Sequence, residues 1–170
     1  MSFPYPALRS AVLLGCIATT VLTGCGMPGR HSEVECMQRA MYFESNRSSR
    51  DGMIAVGSVV MNRVRSSQFP DTVCGVVAQK NQFAPGVMRR EMNDRSVPLV
   101  REAATAVMRG ERHPLAANAT FFHTAGYSFP YDNMHYVLVT GGNAFYEKRK
   151  SHLVTRPVPP RAIEGLTRGR

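Results

Sequence analysis

The sequence predicts a mainly helical domain of the α+β class. Two observations carry this reading. Helical periodicity with recognisable capping residues runs as far as Met108, and after Ala119 the chain changes to short aromatic or β-branched segments between turn residues. Composition sets the frame. The 170 residues are 44% hydrophobic and 19% charged, which supports one hydrophobic core and excludes a disordered chain, a collagen or a long coiled coil.

The elements follow in order. Ser32 with Glu35 three positions later forms a capping-box pattern that opens a first helix. Val34, Met37, Met41 and Glu44 share one face of it. The polar residues from Asn46 to Ser49 break the pattern. A second helix runs from Ser49 or Arg50 to Val64, with Met53, Val56, Gly57, Val60, Met61 and Val64 as its apolar stripe. On that helix Asn62 reads as a buried hydrogen-bonding residue and Arg63 as a surface residue. Asp71 caps a short helix reaching Gln79. Residues 81–95 read as a loop with a turn at Pro85-Gly86. Ser96, with Pro98 just inside, starts another helix, lined by Val100, Ala103, Ala104, Val107 and Met108 and stopped by Gly110. Thr120–His123, Tyr136–Thr140 and Asn143–Tyr146 are strands or irregular segments. Residues 151–170 are rich in Pro and Arg, with too few apolar residues to fold alone, and predict a flexible basic tail.

The N-terminus predicts export. Arg9 precedes an apolar run from Ala11 to Leu22 that is short for a bilayer span and reads as a signal-peptide core. It ends in Leu22-Thr23-Gly24-Cys25, which resembles a bacterial lipobox. Residues 1–24 are therefore expected to be a lipoprotein signal peptide, and residues 25–32 a lipidated Cys25 with its tether. Gly26, rather than Asp, matches an outer-membrane address and placement on its periplasmic face. An ordinary secretory signal with an incidental Cys25 is the alternative. From Cys25 onward the chain carries 20 basic and 12 acidic residues, a net +8. An exported, basic, membrane-tethered protein has little access to nucleic acid, and the anionic polymer within its reach is peptidoglycan.

Cys36 and Cys74 remain as an even pair in an oxidising compartment and read as a disulfide. A Cys nucleophile is the rival, as in a Cys/His peptidase acting on the stem peptide, but neither Cys lies in a motif that lowers its thiol pKa. His113, His123, His135 and His152 fit no helix-borne zinc spacing, so no metal is expected, and no cofactor.

Glu44 is the most informative residue. It shares a face with apolar residues, at a helix C-terminus. Burial there and the negative end of the helix dipole both favour the neutral carboxyl. Such a Glu holds a proton near neutral pH and can give it to a leaving oxygen. The bland alternative is an exposed helix end, or an ion pair with Arg39 or Arg47.

Several pieces together resemble the cell wall hydrolase family typified by the spore cortex-lytic enzymes. They are Glu35-Cys36, Ala40-Met41-Tyr42-Phe43-Glu44, Gly52, Ala55-Val56, Val59-Val60-Met61-Asn62-Arg63-Val64 and Phe69-Pro70-Asp71-Thr72-Val73-Cys74-Gly75-Val76-Val77. Further along come Gln79, Gln82-Phe83, Pro85, Ala119-Thr120-Phe121-Phe122-His123 and Gly141-Gly142-Asn143-Ala144-Phe145-Tyr146. The resemblance spans Glu33 to Tyr146 within a catalytic domain expected over 33–150. It implies a lysozyme-like fold and cleavage between N-acetylmuramic acid and N-acetylglucosamine. It also implies that Glu44 resembles the single acid/base of lytic transglycosylases, which close a 1,6-anhydro ring without the second carboxylate of ordinary hydrolysis.

The resemblance places Gln82 and Phe83 near the cleft. His123, Tyr127 and Tyr146 are further candidates for substrate contact, against the plainer reading of each as a structural residue. Asp51 and Asp132 stay open as a second catalyst for muramidase-type hydrolysis. The chain also departs from the family. Ser45-Asn46-Arg47-Ser48 replaces the usual Ala-Arg-Gly-Glu, Asn143 stands where a His is common, and there is no Trp near Tyr131. These departures motivate a competing expectation, a non-catalytic peptidoglycan-binding lipoprotein. A monomer is expected.

Overall fold

A computed structural model describes residues 31–45 and 49–168. The expected signal peptide, Cys25, most of the tether, and Asn46, Arg47 and Ser48 lie outside the described residues. The order is α1 (Glu33–Glu44), α2 (Arg50–Val64), α3 (Val73–Val77), α4 (Val97–Met108), β1 (Phe121–Thr124), β2 (Met134–Thr140) and β3 (Asn143–Lys148), then a short 3-10 turn at Ser151–Leu153. Among the described residues no helix is long and apolar enough to cross a membrane.

Helix α1 starts where the capping box predicts, with the Ser32 hydroxyl accepting from the Glu35 N–H at 3.2 Å. Glu35 does not complete the box. Its carboxylate pairs with His31 at 2.6 Å and Arg39 at 3.2 Å. Helix α2 is capped by the Ser49 hydroxyl and is buried on all sides from Asp51 to Val60, so the expected stripe is too narrow. It packs against both α1 and α4, which touch each other. Met41 of α1 and Val107 of α4 meet over Gly57. Met37, Met41, Met53, Ile54, Val56 and Phe145 fill the centre of the core.

The short α3 differs from expectation. It ends at Val77, and Thr72 rather than Asp71 caps it, through Thr72 Oγ1 and the Gly75 N–H at 3.0 Å. The Glu33 carboxylate reaches across from α1 to accept from the Val73 N–H at 2.6 Å. Cys36 and Cys74 are joined by a disulfide that ties α1 to α3 across 38 residues. Ser96 precedes α4 without capping it, because its hydroxyl and N–H both donate to Asp94 Oδ1.

The three strands form one antiparallel sheet in the order β1-β3-β2. Phe121 lies opposite Tyr146, and Thr140 opposite Asn143. A bulge at Val137 shifts the register of β2.

Two expectations are corrected here. The segment after Ser151 is laid down along the domain: the Tyr136 N–H donates to the Arg156 carbonyl and the Ile163 N–H to the Val139 carbonyl, both at 3.0 Å, and Thr167 is buried. Counting apolar residues could not show this, since the anchors are polar. Arg63 is not a surface residue. It is 3% exposed beneath three aromatic rings, because β1 and the Phe69 turn fold over the end of α2.

Candidate active site

Helix α1 ends at Glu44 because Ser45 closes it. The Ser45 N–H and hydroxyl both donate to the Met41 carbonyl, at 3.1 and 2.6 Å. Glu44 is thus left at the rim of a cleft of about 620 Å³. Its walls come from three places: the end of α1 (Phe43, Glu44), the loop after α3 (Asn81, Gln82, Phe83) and the sheet with its β1–β2 loop (Phe122, His123, Tyr127, Phe129, Asn143).

The loop is anchored from beneath. Arg39 is buried and donates to the Val87 and Arg90 carbonyls at 3.1 and 2.8 Å. Asn81 takes the left-handed conformation, φ 61°, which Asn tolerates better than most residues. The chain then presents the Ala84 N–H, which donates a hydrogen bond to Glu44 Oε1. From the opposite side, Asn143 Nδ2 donates to the Glu44 backbone carbonyl at 2.6 Å.

Burial pushes the Glu44 carboxyl above its ordinary value, while the Ala84 N–H and the positive field of Arg63 pull it partly back. Arg63 donates from Nε to the Thr120 carbonyl at 2.7 Å and leaves Nη1 buried without a partner. Its charged form is disfavoured by burial, which brings its pKa down to about 10, while Tyr146 and Glu44 favour the charge.

The expected contact residues divide. Gln82, Phe83, His123 and Tyr127 line the cleft with Glu44. Phe83 forms its floor, 6.4 Å from Phe122 and above Arg63. His123 is held at both ring nitrogens, Nδ1 against the Thr124 carbonyl and Nε2 against the Tyr136 hydroxyl, each at 2.9 Å. In the neutral ring Nδ1 donates and Nε2 accepts, so this histidine is a fixed wall. Tyr127 is 66% exposed and free to meet a ligand. Tyr146 is not among the lining residues. It packs behind His123, against Phe121 and Tyr136 at 5.6 Å each.

Of the described residues lining the cleft, Glu44 is the one with a carboxylate. Asp51 is buried and committed to the Leu166 and Thr167 N–H groups, at 2.8 and 2.7 Å. Asp132 is exposed in the turn before β2. Sequence reasoning missed Arg63, Phe43, Phe129 and Asn143. Asn143 had a signal, since it stands in the Gly-Gly motif where the family often has His. Phe129 stacks on Tyr131 at 6.1 Å and an interplanar angle of 10°, extending the cleft wall as an exposed aromatic ledge.

A family model described as Cell Wall Hydrolase matches residues 47–146. The chain belongs to the cell wall hydrolase family. The matched stretch begins after α1, so it holds Gln82, Phe83, His123, Tyr127 and Asn143 but not Glu44. Among curated relatives, the spore cortex-lytic enzyme of Oceanobacillus iheyensis is 35% identical over 75 residues, 42% of this chain and 27% of that protein. The spore cortex-lytic enzyme of Bacillus cereus is 37% identical over 62 residues, 35% and 24% of the two chains. This family member thus spans about a quarter of the length of those relatives. Among solved structures it is similar to the catalytic domain of the germination-specific lytic transglycosylase SleB from Bacillus anthracis. The TM-score is 0.56 at 26% identity, covering 71% of this chain and 99% of that one. The catalytic domain of the Bacillus cereus SleB protein gives 0.57 at 24% identity, covering 71% and 94%.

Proposed function

We propose that this chain cleaves the glycan strand of peptidoglycan between N-acetylmuramic acid and N-acetylglucosamine, as a lytic transglycosylase with Glu44 as its single acid/base. The observation that carries the reading is a carboxylate, the one among the described residues lining an aromatic-walled cleft, with its pKa raised by burial. The likeness to a lytic transglycosylase domain over nearly its whole length supports the reaction class. The aromatic walls suit the apolar faces of sugar rings, and Gln82 offers an amide to an N-acetyl group.

The chemistry balances with one carboxyl. Protonated Glu44 gives its proton to the glycosidic oxygen as the bond from the muramyl C1 breaks. The resulting carboxylate is held by the Ala84 N–H and the Arg63 charge. It then accepts the proton of the muramyl 6-hydroxyl as that oxygen bonds to C1. The enzyme returns to its starting protonation, and no water is consumed.

The test is digestion of purified sacculi by the wild type and Glu44→Gln, with products read by mass spectrometry. Soluble products one water lighter than muramidase products, lost in Glu44→Gln, are expected. Reducing-end products would replace transglycosylation by hydrolysis. Binding without release by the wild type would point to the non-catalytic lipoprotein.

The lipobox supports a lipid anchor on Cys25 and a place on the periplasmic face of the outer membrane, and the Cys36–Cys74 bond suits an oxidising compartment. Labelled palmitate incorporated by the wild type and absent from Cys25→Ala is the expected result. Incorporation by both would remove Cys25 as the anchor.

A further inference from the structure

The matched family stretch stops at Tyr146, yet the most heavily anchored part of the remaining chain lies beyond it. Glu164 makes two hydrogen bonds across the domain. Its Oε1 accepts from the Gly141 N–H at 2.6 Å, and its Oε2 accepts from the Ser49 hydroxyl at 2.5 Å. The Asp51 carboxylate fixes the chain just after it, accepting from the Leu166 N–H, the Thr167 N–H and the Thr167 hydroxyl. Asp51 is 2% exposed and Thr167 7%, so this clasp is shielded from water.

The far end of the clasp is the turn between β2 and β3. Gly141 and Gly142 both have left-handed φ, 57° and 79°. Gly141 lies so close to Gly52 of α2 that neither position has room for a Cβ. The Gly142 carbonyl accepts from the Ala125 N–H at 2.8 Å, at the start of the loop that carries Tyr127 and Phe129. The next residue, Asn143, holds the Glu44 carbonyl. One short segment therefore connects the C-terminal strap to two walls of the cleft.

We propose that Glu164 is a positioning residue, holding the Gly141–Asn143 turn in the place from which Asn143 fixes the end of α1. The proposal rests on Glu44 being the acid/base. Glu164 touches no substrate. It acts through Gly141 and Asn143, and the Asp51–Thr167 clasp keeps it in reach.

The experiment compares the full-length wild type with Glu44→Gln, Glu164→Ala, Glu164→Gln and Glu102→Gln. Glu102 is exposed and pairs with Arg50 at 2.8 Å, with no hydrogen bond, among the described residues, to Glu164 or to the Gly141–Asn143 turn. Soluble product release from sacculi gives kcat and apparent KM, and thermal midpoints confirm that each variant is folded. Loosening the support of a reacting group costs rate steeply, so Glu164→Ala is expected to lose about tenfold in kcat with apparent KM within about twofold. Glu164→Gln keeps an acceptor for Gly141 and offers its amide to Ser49, so it restores most of the rate. Glu102→Gln stays at the wild-type rate. The Asn143 side-chain amide signals in an NMR spectrum shift in Glu164→Ala and not in Glu102→Gln.

A folded Glu164→Ala with wild-type kcat, or a Glu164→Gln as slow as Glu164→Ala, overturns the proposal. If Glu164→Ala does not fold, Thr167→Val, which keeps the backbone half of the clasp, takes its place and must lower kcat without raising KM. Release that does not depend on Glu44 removes the acid/base reading and this proposal with it. Glu44-dependent release with unmoved Asn143 signals removes this proposal alone.

Discussion

Replacing Gly52 with Ala tests the packing that supports the candidate acid. A Cβ at Gly52 stands 2.6 Å from the Gly141 Cα, whereas ordinary contacts there lie at 3.4–4 Å. The obstacle is backbone, so no rotamer change relieves the overlap, and the turn must retreat by roughly 1 Å. Asn143, two residues on, reaches the Glu44 carbonyl at 2.6 Å, and a retreat of that size breaks the bond. Overpacking of this kind costs about 1–3 kcal/mol. Misplacing a reacting group by about 1 Å costs on the order of 10²-fold in rate. The expected result is a folded variant with a lower thermal midpoint and a kcat on sacculi reduced by that order. Gly57→Ala is the contrast. Its Cβ meets the flexible end of Met41 and the Val107 methyls in the core, so it lowers the midpoint with kcat within about twofold of wild type. A folded Gly52→Ala that digests sacculi at the wild-type rate would refute the link from α2 through Asn143 to Glu44.

Other outcomes follow from the same contacts. Glu44 must be protonated to act as an acid and its pKa is raised, so activity should persist above the ordinary Glu range and fall as pH rises through the raised value; a pH–rate profile that falls within the ordinary range contradicts this. Arg63→Met removes a cation that favours the Glu44 carboxylate, so the alkaline limb of that profile should move to higher pH, and a limb that moves down or stays put rules out this coupling. Reducing the Cys36–Cys74 bond frees a loop of 38 residues and should lower stability by about 4 kcal/mol in the chain-entropy model, read as a shift of the urea midpoint. The hydrogen bonds of Thr167 and Leu166 outweigh the effect of burial and hold the Asp51 carboxyl below its ordinary range. It therefore stabilises the fold above that range and the contribution is lost as pH falls, so urea midpoints of Asp51→Asn should depend less on acid pH than those of the wild type.

Local signals were legible where the cause is local. Ser32 caps α1, the second helix spans Arg50–Val64, and the strands fall where turn residues bracket aromatic or β-branched runs. Glu44 stood out because a carboxylate on an apolar face is anomalous. Arg63 was misread because a charged residue near a helix end looks solvated, and its burial depends on Phe69, Phe83 and Phe121, which arrive from three separate segments. The tail was misread for a related reason. Asp51 and Glu164 gave no sign of their partners, since the residues they bind lie far away in the chain. Tyr146 resembled a sugar-stacking residue by type, but its β3 register turns it toward Phe121 and Tyr136.

The strap also sets where this protein can be cut. Strand β2 is an outer strand of the sheet, and the Arg156 carbonyl and the Ile163 N–H satisfy backbone groups along its open side. A chain ended at Tyr146, the last residue matched by the family, would shorten β3 before Lys148 and bare that side of β2. It would also strip the Asp51 carboxylate of its three donors from Leu166 and Thr167. An uncovered strand is a template for pairing with a neighbour, and so for aggregation. The residues matched by the family model end at Tyr146, whereas the hydrogen bonds that close the domain run on to Thr167, so a fragment kept through Thr167 is expected to hold the fold better than one ended at Tyr146.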